Sequence, residues 1–205
     1  MNNDFFVLKK NNMIEKVVLK EIVVSMSFLS EKSFSEVFEI VEIDNFKKGD
    51  VFIQKNKIDK YEYIILEGIC KSFLINPDGH DITISFFVNK AVLSPYTTRV
   101  KNGVSTLNFK ALTDVKVIKM NAKHFEKLII ANIEIRDFAN SVLRNELLMK
   151  IEKEIGFASL TVKERFIEFR KQFIELENLI PHKDIATYLG ITPVSLSRLR
   201  QKLIK

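Results

Sequence analysis

One glycine near the C-terminus constrains this chain more than any other residue. Gly190 closes an amphipathic segment, Pro181-His-Lys-Asp-Ile-Ala-Thr-Tyr-Leu189, and two residues later a second one begins, Thr192-Pro-Val-Ser-Leu-Ser-Arg-Leu-Arg-Gln-Lys-Leu-Ile204. Glycine adopts positive φ without steric cost, so Gly190 reads as a left-handed helix C-cap. Thr192 can cap the next helix, with Pro193 at the first helical position, where its missing N–H does no harm. A stop and a restart so close together are the pattern of a helix-turn-helix.

The apolar spacing predicts that Ile185, Leu189 and Ile191 converge on Leu196, Leu199 and Leu203, with Ala186 where the two helices cross. A larger side chain than alanine would push them apart. At about 100° per residue, the opposite face of the second helix holds Val194, Ser197, Arg198, Gln201 and Lys205. Five cations in this stretch (Lys183, Arg198, Arg200, Lys202, Lys205) stand against the single anion Asp184, leaving +4 of the chain's formal +6. Backbone phosphates supply most of the affinity of protein–DNA contacts, so a basic exposed ridge of this kind points to a major groove. The alternative is a two-helix packing element with a solvated basic face.

A chain of 205 residues, 46% of them hydrophobic, can bury one substantial core and a small satellite. The pI of about 9.2, with the charge gathered at one end, favours nucleic acid over a membrane as partner. The single cysteine, Cys70, excludes a disulfide framework, and no Cys/His cluster has zinc or iron–sulfur spacing, so neither metal nor cofactor is expected. Val17 to Val24 is interrupted by Lys20 and Glu21 and lacks a cleavage site after it, which reads as neither signal peptide nor membrane span and makes the cytoplasm the expected location. No nucleophile–base constellation, carboxylate pair or glycine-rich phosphate loop argues for an enzyme. His80, His124 and His182 read as solvated residues.

Taken in order, residues 1 to about 40 read as helical, with Phe5, Phe6, Leu8, Ile14, Val17, Val18 and Ile22 at helical spacing and a capping box at Ser33 and Glu36; they are expected to lid a sheet. From Val41 the period becomes two. Apolar runs at 51–54, 61–66, 69–75, 81–88, 104–112 and 115–120, punctuated by Lys48-Gly49-Asp50, Glu67-Gly68, Asn76-Pro77-Asp78-Gly79 and Lys101-Asn102-Gly103, predict short antiparallel strands in a sandwich or barrel. Asn121 reads as the N-cap of a helix containing Phe125, Leu128 and Ile129. A long helical pattern from about Ile133 to Ile155 has two apolar stripes, one with Ile135, Phe138, Val142 and Met149, the other with Ala139, Leu143, Leu147, Ile151 and Ile155. Two stripes suggest that one meets the barrel and the other meets the same helix of a second chain; the first stripe is taken as the dimer interface. Residues 156–160 read as a break and candidate hinge, and Thr161 with Glu164 as a capping box opening a helix with Phe166, Ile167, Phe169 and Phe173.

With Phe46-Lys-Lys-Gly-Asp50, Leu66-Glu-Gly-Ile69, Thr161-Val-Lys-Glu-Arg-Phe166 and the block Ile185 to Arg200, nearly the whole chain resembles the Crp/Fnr superfamily of bacterial transcription regulators. The resemblance implies an α+β chain in three parts: an antiparallel double-stranded β-helix (jelly roll) of the cyclic-nucleotide-binding type with flanking helices over residues 1–132, a dimerisation helix and hinge over 133–159, and a helical, winged-helix-like helix-turn-helix domain over 160–205. It implies a homodimer on double-stranded DNA, two recognition helices about 34–36 Å apart in successive major grooves, and RNA polymerase as a further partner. By position Val194 and Arg198 fall where the family reads base edges: Arg198 could bond guanine bidentately, and Val194, where an acidic residue is common, offers only apolar contact to a thymine methyl. His182, Lys183, Thr192, Ser195, Arg200, Gln201 and Lys202 fall to phosphates and helix flanks, while Ser197 stays a DNA-binding candidate on the groove-facing side.

Members that bind cyclic AMP close a Gly-Glu and an Arg-Ser/Thr pair on the ribose and phosphate. Counting back from Ala111, Ser94 and Pro95 stand where Gly-Glu is expected, Ser105 replaces the arginine and only Thr106 keeps a usable hydroxyl, with Arg99 the one nearby cation. An unpaired phosphate in such a pocket costs several kcal/mol, so no cyclic nucleotide is expected to bind. A sensor of some other small effector is the alternative function.

Overall fold

Among its described residues, the period-two segment beginning at Val41 forms ten strands: β1 (Val41–Phe46), β2 (Val51–Ile53), β3 (Tyr61–Glu67), β4 (Cys70–Ile75), β5 (Asp81–Phe87), β6 (Val92–Leu93), β7 (Arg99–Val100), β8 (Val104–Ser105), β9 (Asn108–Ala111) and β10 (Val115–Asn121). Helices α1 (Asn2–Met26) and α2 (Glu31–Glu39) precede them. Then come α3 (Ala122–Ala131), α4 (Ile133–Ser159), α5 (Val162–Gln172), α6 (Leu176–Leu179), α7 (His182–Tyr188) and α8 (Pro193–Ile204). The structure, a computed structural model, describes residues 2–93, 99–100 and 103–204.

Two four-stranded antiparallel sheets, in the orders β1-β10-β3-β6 and β2-β9-β4-β5, enclose the roll's interior, and β7 pairs with β8. Alternation along each strand divides the apolar residues between two faces. Tyr63, Ile65, Val115 and Val117 point inward to meet Ile53, Cys70, Phe87 and Phe109. The other face of β3 and β10, through Ile64, Leu66, Ile118 and Met120, is covered by Leu19, Ile22 and Val23 of α1, Phe34 and Val37 of α2, and Ile135, Phe138 and Val142 of α4. Both faces of the sheet are therefore dry, which is why β3 is a nearly continuous apolar run. Cys70 is fully buried, and burial pushes its thiol well above the ordinary range, as an inert core residue requires.

The second sheet is covered differently. Ile69, Phe86 and Leu112 on its outer face pack against Phe166, Phe169, Leu176, Ile180, Ile185 and Leu189 of the C-terminal helices. Those helices occupy all of the described structure after Leu160, with no strand among them.

Caps decide where the helices begin. Asn121 accepts from the N–H groups of Lys123 and His124, and Thr161 and Glu164 form a complete capping box. Two expectations are corrected. The cap of α2 is Ser30 rather than Ser33: its Oγ accepts from Ser33 N, while Glu134 of α4 reaches back to Ser30 N at 2.8 Å. The long helix also runs through Gly156 to Ser159, since one mid-helix glycine costs only about 1 kcal/mol, and stops at Leu160, just before the Thr161 cap. The run 104–112 is divided into β8 and β9, where the Ser105 hydroxyl turns back to donate to Leu107 O.

The stripe assigned to the dimer interface is a third correction. Ile135, Phe138 and Val142 are 0, 2 and 9% exposed, held in the core of their own chain, and only Met149 of that stripe is open. The other stripe is uncovered: Leu143, Leu147, Ile151 and Ile155 are 39, 60, 43 and 57% exposed. Helix α4 has two apolar faces, and the roll has taken the one nearer the helix's N-terminal end.

Candidate nucleic-acid interface

The turn between α7 and α8 is built as its residues dictate. Gly190 has φ +71°, its N–H donates to Thr187 O, and the N–H of Ile191 donates to Ala186 O, the paired bonds of a Schellman motif. A Cβ on Gly190 would lie 3.0 Å from Cε1 of Phe157, so the long helix presses on the turn as well. Thr192 Oγ1 accepts from Ser195 N at 3.1 Å, and Leu196 N bonds Thr192 O at 3.0 Å, which starts α8. Ala186 is fully buried, and Ile185, Leu189 and Leu196 close the small core with Ile191, Leu199 and Leu203 at its edge.

With those residues turned inward, Thr192, Val194, Ser195, Ser197, Arg198, Gln201 and Lys202 are exposed on α8 and its cap, and His182 and Lys183 at the start of α7. The helix that could enter a groove is thus held rigidly by its partner and presents one free cation-bearing face. Arg200 is placed otherwise. Its Nε donates to Glu177 Oε1 and its Nη1 lies 3.2 Å from His182 Nδ1, while Arg170 grips the same carboxylate at 2.7 and 3.1 Å. Burial pushes the Glu177 carboxyl up, but Arg170 and Arg200 outweigh that and hold it below the ordinary range. Arg200 therefore helps lock α8 to the α6 segment and is not a free phosphate ligand.

The scaffold helix α7 is in turn fixed to the roll. Lys71 Nζ, on β4, donates to Asp184 Oδ1 and to Asp81 Oδ2, both at 2.9 Å, and the Thr83 N–H donates to Thr187 Oγ1. Phe86 packs edge-on against Phe169 and Phe173 and tilts against Tyr188. None of these residues stood out as functional in the sequence. The available signal was Lys71, a charge inside the otherwise buried strand Cys70-Lys-Ser-Phe73.

In the roll, Ser94 and Pro95 lie outside the described residues. Arg99 pairs with Ser105 across β7 and β8. Ser105 is buried and its hydroxyl is engaged by Leu107, donating to its carbonyl and accepting from its N–H; Thr106 next to it is also engaged.

Residues 43–132 match the cyclic nucleotide-binding domain family. The full architecture is similar to FixK2 of Bradyrhizobium japonicum, with TM-score 0.69 and 19% identity over 80% of this chain and 84% of that one. The fold is that of a Crp/Fnr-type regulator. A protein of Eubacterium rectale described as a Crp/Fnr-family transcriptional regulator aligns at TM-score 0.67 and 13% identity, over 85% of this chain and 83% of that one. CLP, a c-di-GMP-responsive global regulator of Xanthomonas campestris, aligns at 0.66 and 10% identity, over 85% and 91%. Among curated proteins no sequence matches this chain. In this Crp/Fnr-type fold no described helix is long and apolar enough to cross a membrane.

Proposed function

We propose that this protein is a homodimeric, sequence-specific DNA-binding transcription regulator, acting in the cytoplasm on a two-fold operator. The observation behind this reading is the exposed ridge Val194, Ser197, Arg198, Gln201 and Lys202, on a helix fixed by the Gly190 turn and carrying no acidic residue. Arg198 would read guanine, Val194 a thymine methyl, and Lys183, Thr192, Ser195 and Lys202 the phosphates that set register. The uncovered Leu143, Leu147, Ile151 and Ile155 would pair α4 with its copy, giving two ridges the spacing of successive major grooves. Residues 1–132 then act as sensor, 133–159 as coupler and 160–205 as reader.

The roll is proposed not to respond to cyclic nucleotides. The position of the phosphate-binding arginine is Ser105, whose buried hydroxyl already serves its own turn. Selection of bound duplexes from a random pool tests the whole reading. A palindromic consensus is expected, with Arg198→Ala weakening it ten- to a hundredfold, the range of about 1–3 kcal/mol for one bidentate base contact. No enrichment, or indifference to Arg198→Ala, would overturn it.

A further inference from the structure

Between β5, the C-terminal half of α4 and helices α5 and α7 lies a cleft of about 1040 Å³. That is ample for a metabolite, since small-molecule sites span about 300–1,000 Å³. It is separate from the roll's interior, where the phosphate cassette would lie. Its wall is aromatic: Phe86, Phe157, Phe169, Phe173 and Tyr188 all border it.

Its charges are unevenly matched. Lys90 is paired with Glu21, Lys150 with Glu146 and Lys171 with Glu168. Lys153 and Arg165, which also line the cleft, pair with no carboxylate among the described residues. Lys153 Nζ donates to Ile84 O at 2.6 Å and otherwise faces the rings of Tyr188, 3.9 Å from its centroid, and Phe157 at 5.7 Å. Arg165 stacks on the same Phe157 ring at 4.7 Å and donates to the carbonyls of Leu160 and Leu189, and its enclosed Nε has no acceptor. A buried N–H without an acceptor and a desolvated ammonium without a counter-ion are both costly, and one anion relieves both. Both cations lie against the same Phe157 ring, so the two charges belong to one stretch of the cleft wall.

We propose that this cleft binds a small amphipathic organic anion, its carboxylate or phosphate between Lys153 and Arg165 and its apolar body against Phe86, Phe169 and Tyr188. Such a ligand touches the roll, the long helix and the unit bearing α8 at once. Where the DNA-binding reading holds, it is an effector able to shift the recognition helix relative to the dimer helix.

The test uses the full-length chain and the fluorescent probe 8-anilinonaphthalene-1-sulfonate. One probe per chain is expected to bind and to be displaced by decanoate or decyl phosphate but not by decanol; whichever anion competes at lower concentration identifies the head group. Lys153→Gln and Arg165→Gln should each weaken the probe at least tenfold. Gly156→Leu should do the same by filling the cleft with both charges intact, since a Cβ there meets nothing closer than Leu160 Cδ1 at 3.8 Å. Lys123→Gln, on exposed α3, should change nothing, and circular dichroism melts confirm that each variant is folded. Equal probe affinity in wild type, Arg165→Gln and Gly156→Leu, or competition by decanol as strong as by the anions, would overturn the proposal. Duplex binding measured on the same preparations separates the two readings: lost duplex binding with probe binding intact rejects only the DNA reading.

Discussion

Lys71 Nζ reaches Asp184 Oδ1 at 2.9 Å with both side chains buried, joining the middle of the roll's second sheet to α7, the first helix of the Gly190 turn. Asp81, partly exposed, accepts from the same ammonium. Truncating one member of a buried pair costs about 3–5 kcal/mol, because the other charge is left uncompensated. Lys71→Ala, which strands two carboxylates, is expected to fall in that range and to divide one urea transition into two. Asp184→Asn keeps an acceptor, leaves Asp81 as counter-ion and should cost about 1 kcal/mol, the net worth of one hydrogen bond. Urea titrations followed by circular dichroism check both; equal losses would refute the central position of Lys71.

The two faces of α4 make opposite predictions. Leu147→Glu puts a charge into the uncovered stripe and should raise the dimer dissociation constant more than a hundredfold, about 3 kcal/mol, with little effect on protomer stability. Phe138→Ala empties a site in the roll's own core and should cost about 3–5 kcal/mol of stability. Sedimentation equilibrium beside thermal melts distinguishes them. A Leu147→Glu protein that stays dimeric would disprove the interface.

What the sequence made legible is what is decided within four residues. Gly190 and Thr192, Thr161 with Glu164, and Asn121 all appear in the roles their types and spacing predict, because a cap is a local hydrogen bond. Even so, Ser33 lost its cap to Ser30, where Glu134 from a helix about a hundred residues away adds a second bond. The stripes of α4 were visible as stripes, but periodicity names faces and not partners, and only the assembled roll shows Ile135, Phe138 and Val142 facing inward. The basic ridge was legible for the same reason as its turn. The removal of Arg200 from it was not, since Glu177 lies on a separate short helix whose position no local pattern encodes.

Arg200 and Lys202, two residues apart, should therefore behave differently on DNA. A lysine that contacts a phosphate contributes about one unit to the slope of log affinity against log salt, so Lys202→Ala is expected to lower that slope by about one. Arg200→Ala should leave the slope unchanged and reduce stability by about 1–3 kcal/mol, through loss of a charged hydrogen bond to Glu177. The same network has a pH signature. The folded Glu177 pKa lies below its ordinary 4.5, so its contribution is complete above that value and disappears as pH falls through the lower folded one. Glu177→Gln should flatten this acid-side loss. Salt-dependent anisotropy titrations and denaturation between pH 3 and 7 provide the readouts.

Lys153 makes the converse prediction at alkaline pH. Burial, with the neighbouring Lys150 adding to it, pushes the ammonium down from 10.5 to about 8, while burial pushes Tyr188 beneath it up to about 12, so the ring stays neutral throughout. Below pH 8 the folded chain must hold a desolvated cation. Between 8 and 10.5 the unfolded chain binds the extra proton, so this group makes stability rise with pH. A shift of that size corresponds to about 3 kcal/mol, part of it offset by the Ile84 carbonyl and the two rings. Lys153→Met should thus stabilise the protein by about 1–2 kcal/mol at pH 7, and the advantage should vanish as pH approaches 10.5. An anion in the cleft favours the charged form, so affinity for the sulfonate probe should decline as pH rises through 8 in the wild type and stay level in Lys153→Met. Stability curves that do not differ between the two proteins from pH 7 to 10 would show that Lys153 bears no desolvation cost, and would remove the reason for the cleft to favour an anion at that end.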